Sequence, residues 1–254
     1  MPCQLTEAVA WLDDLLQPNR FSDYCPNGLQ FPGKREIRKL ATGVTASLEL
    51  FERAIAVEAD LLVVHHGLFW GSTAIPIDDR MKRRLKLLFD SDMSLAAYHL
   101  PLDAHPQVGN NALIAQALGA DTLEPFALHN GESIGFIARF PGEGIDAKDL
   151  FTRVTTLTKR TPLVFDAGPE QIHKLAIVSG AGNDYLHDAV VAGADAFLTG
   201  EPAERVMSEA REGAIHFIAA GHYATETFGV KALGEHLSER FELDHTFIDV
   251  PNPI

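Results

Sequence analysis

The sequence is poor in cysteine. Cys3 and Cys25 are the only two among 254 residues, too few for a disulfide framework or a thiolate metal cage. It is also short of cations: 21 Lys and Arg stand against 35 Asp and Glu, a formal net charge of −14. Binding to a phosphate backbone relies on clustered Lys and Arg, so this balance argues against nucleic acid and anionic membranes as partners. A nucleotide substrate stays open, because a bound cation reverses the field locally. No uncharged apolar run approaches the ~20 residues that span a bilayer. The opening MPCQLTEAVAWLDDLL lacks a basic segment and does not read as a signal peptide, so the expected location is the cytoplasm. Low-complexity stretches are missing too.

What is present is a 46% hydrophobic chain long enough for one or two cores. Apolar spacing predicts helices over 5–16, 48–57, 78–89 and 110–118, the last closed by Gly119. Strands are expected over 37–45, 60–65 and 93–99, and the Pro/Gly/Asn-rich stretch 18–33 reads as an ordered loop. The pattern loosens near 124–131. Beyond it, strands over 133–140, 174–178, 196–199, 215–219 and 246–250 alternate with helices over 146–159, 184–191, 203–211 and 223–237. Alternation of this kind favours α/β architecture with parallel sheets covered by helices. The expected organisation is two α/β lobes, 1–127 and 128–254, alike in architecture but without a residue-level repeat.

Three short blocks carry the chemistry. His65 and His66 follow the apolar run LLVV and precede Gly67. Ligand sites in parallel α/β sheets gather beyond the carboxyl ends of strands; equally, two histidines there could be satisfied by backbone hydrogen bonds. YHLPLDAH (98–105) offers His99, Asp103 and His105 after a predicted strand, in a loop stiffened by Pro101 and Pro106. Asp103 could instead only shape that loop. GHYATE (221–226) places His222 and Glu226 four apart, on one face if a helix starts there; a surface pair is the plainer alternative. Taken together, His65, His66, Asp103, His222 and Glu226 are three nitrogen and two carboxylate donors with no thiolate. One tetrahedral ion needs fewer, whereas two ions sharing a bridging carboxylate would use them all. Such a set suits two divalent ions among Fe, Mn, Zn and Co and excludes an iron–sulfur centre. His99 could orient a ligand, move protons as the catalytic group, or simply be hydrogen-bonded at a strand end.

Weaker features have plainer readings. SGAGN (179–183) could cradle an anion but is an ordinary strand-to-helix turn. Arg80, Lys82, Arg83, Arg84 and Lys86 read as a solvated helix face or subunit contact. The histidines at 129, 173, 187, 216, 236 and 245 read as structural.

The blocks LLVVHHGLFW, YHLPLDAHPQVGNNALIAQALG and FIAAGHYATE, with NGLQ (27–30) and LTGEPAERV (198–206), resemble the NIF-three-like dinuclear-metal-centre family across nearly the whole chain. Its members are often labelled type-two GTP cyclohydrolase homologues. The resemblance implies two interlinked α/β lobes in the compact form without an inserted domain, a two-metal cluster in the cleft between them, and a ring-shaped homohexamer. Its metal ligands match His65, His66, Asp103, His222 and Glu226, with Glu226 or Asp103 as bridge. The label implies a hydrolase in which hydroxide attacks a ring carbon of a nucleotide or related small molecule, releasing formate from GTP. The family name, which comes from partner binding, implies the alternative of a non-catalytic metal-binding scaffold or interaction protein. LTGEPAE and the Gly71 of HHGLFWG depart from the family wording, which leaves the proposed ligands intact but detaches substrate preference from the resemblance.

Overall fold

A computed structural model describes residues 3–71 and 76–254. The fold is mixed α/β, and contacts divide it into two units. One comprises Met1–Leu102 with Gly229–Pro251, the other Asp103–Phe228 with Asn252–Ile254. The chain therefore passes from the first to the second within the short helix Leu100–Asp103, and returns within the helix Thr227–Phe241. The division expected at 127/128 does not separate the units: that position lies in the hairpin of Thr122–His129 and Glu132–Arg139, wholly within the second unit.

The first unit is built on a five-stranded sheet in the order Asp244–Phe247, Lys39–Thr45, Leu61–His66, Ser94–Ala97, Gly28–Phe31. The first four strands run parallel and the last pairs antiparallel. Leu61, Leu62, Val63 and Val64 are all fully buried, as a continuous apolar run in a strand covered on both faces should be. Helices Leu5–Leu16, Leu48–Ala56 and Asp79–Ser91 belong to this unit. Ser47 and Asp78 start the latter two by accepting from the Leu50 and Met81 amides, the usual answer to unpaired first-turn N–H groups. Phe51, Leu50, Leu62, Leu88, Met93 and Leu95 pack in its core.

The second unit carries a six-stranded sheet in the order Leu163–Phe165, His216–Ala219, Ala196–Thr199, Lys174–Val178, Glu132–Arg139, Thr122–His129. Its three central strands are parallel and its flanks antiparallel. Asp146 caps the helix Ala147–Thr158 through the Lys148 and Asp149 amides. Leu150, Val154, Leu175, Leu198 and Ile218 fill the core. Both sheets are thus mixed, where alternation alone predicts parallel ones.

The strand Thr122–His129 lies where the pattern loosens, and its turn explains it. Asn130 and Gly131 both have positive φ, 49° and 96°, and His129 faces Glu132. This is the two-residue Asn-Gly hairpin that right-handed strand twist favours. The stretch 18–33 likewise holds a 3-10 turn, Pro18–Arg20, and the edge strand Gly28–Phe31 rather than loop alone. The helix expected over 223–237 is two, His222–Thr225 and Thr227–Phe241, interrupted at Glu226.

Each unit repeats one device. Asp60 Oδ2 accepts from the Arg38 and Lys39 amides at 2.9 and 3.0 Å, and Asp195 Oδ2 accepts from the His173 and Lys174 amides at 2.8 and 2.9 Å. Each aspartate just precedes a parallel strand, Leu61–His66 or Ala196–Thr199, and clamps the start of that strand's parallel neighbour, Lys39–Thr45 or Lys174–Val178. Asp60 also accepts from Lys34 Nζ at 2.7 Å. Burial alone would raise its pKa, but Lys34 and the two amides outweigh that and lower it. A carboxylate with a depressed folded pKa stabilises above its unfolded value of ~4, and that contribution disappears as pH falls through the folded value. Asp60→Ala should therefore cost about 1–2 kcal/mol at neutral pH, because two part-buried backbone amides and Lys34 lose their acceptor. Urea midpoints at pH 7 and in acid check this: the gap between wild type and variant should narrow as pH falls.

Candidate metal centre

His65 and His66 are the last two residues of the strand Leu61–His66. In regular strand they would point to opposite faces, yet their ring centroids are 4.7 Å apart, because the strand ends there and the chain turns at Gly67. Gln30 sets this turn. Its amide donates to Pro26 O at 2.7 Å and accepts from Leu68 N at 2.8 Å, and it occupies the space that a Cβ at residue 67 would need.

Hydrogen bonds fix the imidazoles. His65 is fully buried, and its Nδ1 meets Tyr98 O at 2.9 Å. A carbonyl only accepts, so Nδ1 carries the proton and Nε2 the lone pair, the tautomer a metal ligand requires. His99 Nδ1 donates to Asp23 Oδ1 at 2.8 Å. His66 Nδ1 lies 3.0 Å from Thr45 Oγ1. One nitrogen from each of His65, His66 and His99 falls within 4.8 Å of the others.

In the second unit, Asp103 and Glu226 are 6% and 2% exposed and bring carboxylate oxygens within 4.8 Å of each other. Asp103 Oδ1 accepts from Asn110 Nδ2 at 2.8 Å and Ser179 Oγ at 2.9 Å. Asn111 ties the same place together, donating to Asp103 O and Ile134 O and accepting from Ser179 N. His222 Nε2 lies 3.1 Å from Glu226 Oε2, and His222 Nδ1 is hydrogen-bonded to Glu201. Burial would lower the His222 pKa, but Glu226 and Glu201, by hydrogen bonding and charge, raise it to about 9.

Gly180, in the SGAGN turn, has φ of +62° and shelters this cluster: a Cβ there would collide with Glu226 Oε1 and lie 3.2 Å from His222 Nε2. Three amides of the turn are paired within the fold, Ser179 N with Asn111 Oδ1, Gly180 N with Thr225 Oγ1 at 3.1 Å and Gly182 N with Thr199 Oγ1, and the second keeps the turn against the 221–226 block. Gly180→Ala is thus strained in backbone and pushes on a buried carboxylate. Divalent-ion content measured by elemental analysis should fall by more than half while the far-UV spectrum stays that of the wild type.

The first unit thus brings the expected donors His65 and His66 together with His99, and in the second Glu226 meets both Asp103 and His222; Asp103 lies in the second unit although its position falls in the expected first lobe. Asp23, Glu201, Asn110, Asn111 and Ser179 were not expected. Glu201 lies inside the LTGEPAE block, and Asp23 precedes NGLQ, but no local spacing marks either as a histidine partner. His105 is a turn element: its Nδ1 accepts from the Gln107 and Val108 amides. His216 is buried and bonded to Pro169 O. Arg80 and Lys86 make exposed ion pairs with Asp78 and Asp90.

Histidines and carboxylates beyond the ends of parallel strands define an α/β protein with candidate metal-binding clusters. A family model described as Duf34/NIF3 (NGG1p interacting factor 3) matches residues 3–253, and the chain belongs to that family. A Pseudomonas aeruginosa protein named "GTP cyclohydrolase 1 type 2 homolog" is 44% identical over 253 residues, all of both chains. An Escherichia coli K12 protein of the same name is 42% identical over 252 residues, 98% of each. Among solved structures, TTHA1606 from Thermus thermophilus superimposes with a TM-score of 0.92 at 41% identity, covering 99% of this chain and all of that one. The structure described as "protein ybgI, unknown function" gives 0.92 at 40% identity with the same coverage. The family resemblance and the α/β fold class read from the sequence are both borne out, although each sheet is mixed rather than parallel. Among the described residues, no helix is long and apolar enough to cross a membrane.

Proposed function

We propose that the chain is a metal-dependent hydrolase in which His65, His66, Asp103, His222 and Glu226 hold two divalent ions, with Glu226 or Asp103 as bridge. The observation that carries this is the approach of the Asp103 and Glu226 carboxylates within 4.8 Å at buried positions. Two buried like charges this close oppose one another's ionisation unless a cation joins them. The donors fit: imidazoles, of which His65 presents Nε2 because its Nδ1 is held by Tyr98 O, and carboxylates braced by hydrogen bonds suit Fe, Mn, Zn or Co, with His222 giving up its proton on binding.

Paired ions supply, when bound, an acidified water at neutral pH and polarise the bond under attack. Asp23 holds the His99 ring with its proton on Nδ1, so Nε2 is the nitrogen that accepts and returns a proton during ring opening. Glu201 orients His222 in the same manner. Ser179 and Asn110 donate to Asp103 Oδ1 and so brace the carboxylate that would hold a cation. The substrate is a nucleotide ring or a related small cyclic molecule. Self-association as a ring-shaped homohexamer belongs to the same reading, and light scattering should give a mass near six chains.

Elemental analysis of protein purified without chelator should find about two first-row ions per chain. Purified metal-loaded protein, assayed against GTP and other nucleotides, should turn over a ring-containing substrate, and Asp103→Ala should abolish that turnover with the fold intact. Full metal content without turnover on any nucleotide would favour the non-catalytic scaffold.

A further inference from the structure

Two exposed aromatic rings stand beside the histidine cluster of the first unit, and neither serves its core. Trp70 is 39% and Tyr24 52% exposed, although burying a large aromatic side chain is among the larger gains available to a fold. Trp70 lies 5.2 Å, centroid to centroid, from His99 and 5.6 Å from His66; Tyr24 lies 6.2 Å from His99. Both are anchored. The indole Nε1–H donates to Gly67 O at 3.1 Å, which fixes the ring relative to the turn after His66. Gly71 N donates to Tyr24 O at 2.6 Å, joining the two segments that carry the rings. Asp23, next to Tyr24, is 3% exposed in its side chain and accepts from Cys25 N, Asn27 Nδ2, His99 Nδ1 and Leu100 N. The loop bearing Tyr24 is therefore pinned to the residue whose ring it flanks.

We propose that Trp70 and Tyr24 form a stacking platform for a planar nitrogen heterocycle, presenting its ring to His99 and the adjoining histidines. Aromatic side chains with few rotatable bonds, already held in place, bind flat rings at little ordering cost. Base-on-aromatic stacking also tolerates any heterocycle, because each presents a π-face. The short supply of cations agrees with this: in a chain of charge −14, recognition through the ring is favoured over recognition through phosphates alone. The platform names the substrate class for the hydrolase reading and rests on that reading only for the step that would follow binding.

Trp11 and Trp70 are the only two tryptophans, so a Trp11→Phe background isolates Trp70 fluorescence. Metal-free and metal-loaded protein are titrated with guanosine, adenosine and cytidine, and with ribose 5-phosphate and inorganic tripolyphosphate as ringless controls. Saturable quenching by at least one nucleoside and none by ribose 5-phosphate or tripolyphosphate is expected. By calorimetry, Trp70→Leu should weaken nucleoside binding by about tenfold or more. Trp70→Phe should stay within a few-fold of wild type, and Tyr24→Ala should fall between. The proposal is overturned if no nucleoside binds saturably, if the ringless controls quench equally, or if Trp70→Leu leaves the affinity within about twofold of wild type, this last being far less than a stacked ring contributes. Metal-free binding without hydrolysis would uphold the platform and defeat the hydrolase reading; GTP turnover indifferent to Trp70→Leu would do the reverse.

Discussion

Glu226→Gln is expected to lower bound divalent metal to less than about one quarter of whatever the wild type holds, the largest effect of any single conservative change among the candidate ligands. Glu226 is 2% exposed, lies 3.1 Å from His222 Nε2 and brings an oxygen within 4.8 Å of Asp103. Losing one anionic donor from a paired site removes both its charge and its capacity to bridge. Stability separates this from general damage. Without metal, the glutamate is opposed by the neighbouring Asp103 carboxylate but paired with His222 at 3.1 Å, and removing one partner of a buried pair is destabilising. The metal-free variant should therefore melt below metal-free wild type but in one cooperative transition, while the stabilisation that added Zn or Mn gives wild type by binding the folded state should be missing. Acidity adds a second signature. His222 has a pKa of about 9 in the metal-free protein, so metal uptake at neutral pH must displace its proton. Affinity should then weaken as pH falls from ~9 towards neutrality, with proton release measurable in calorimetry across buffers of different ionisation enthalpy. A variant that loses its structure on losing Glu226, or keeps both ions, contradicts this account.

The residues of the candidate clusters were legible in the sequence because each lies in a short block directly after an apolar strand, where α/β topology places ligand sites whatever the rest of the chain does. The run Leu61–Val64 announces the strand, and the histidines announce where it stops. Their partners were not legible. Asp23 reaches His99 across 76 residues and Glu201 reaches His222 across 21, and neither pairing follows from helical or strand periodicity. Nor was the correspondence between the units. His99 and Asp103 follow the parallel strand Ser94–Ala97 and His222 and Glu226 the parallel strand His216–Ala219, each histidine four residues ahead of its acid and each Nδ1 on a carboxylate. The amino acids between differ, LPL against YAT, so the likeness lies in backbone position and hydrogen bonding, as with Asp60 and Asp195. The Asn130–Gly131 turn is the opposite case: a recognisable local signal obscured by Pro125 and by exposed residues in the strand before it.

Asp23→Ala should destabilise the protein by about 3–5 kcal/mol, because it removes a buried carboxylate on which several donors converge. The carboxylate accepts from two backbone amides, from Asn27 and from His99. Burial alone would raise its pKa, yet the hydrogen bond and charge of His99, with Asn27 and the Cys25 amide, bring it down to about 2. The stabilising contribution is therefore complete at neutral pH and lost as pH falls from ~4 to about 2. For a chain of this length the melting temperature should drop by roughly 10 °C at pH 7. Asp23→Asn distinguishes packing from electrostatics. It keeps the shape but offers one acceptor oxygen and an unwanted NH2 donor to a site lined with donors, so it should recover only part of the lost stability. It should also release His99 from a single tautomer: histidine ring resonances in NMR, resolved as one Nδ1–H form in wild type, should average between two forms in Asp23→Asn. Wild-type stability in both variants would mean that the Asp23–His99 pair neither supports the loop nor sets the ring, and the proton-transfer role given to His99 would lose its structural basis.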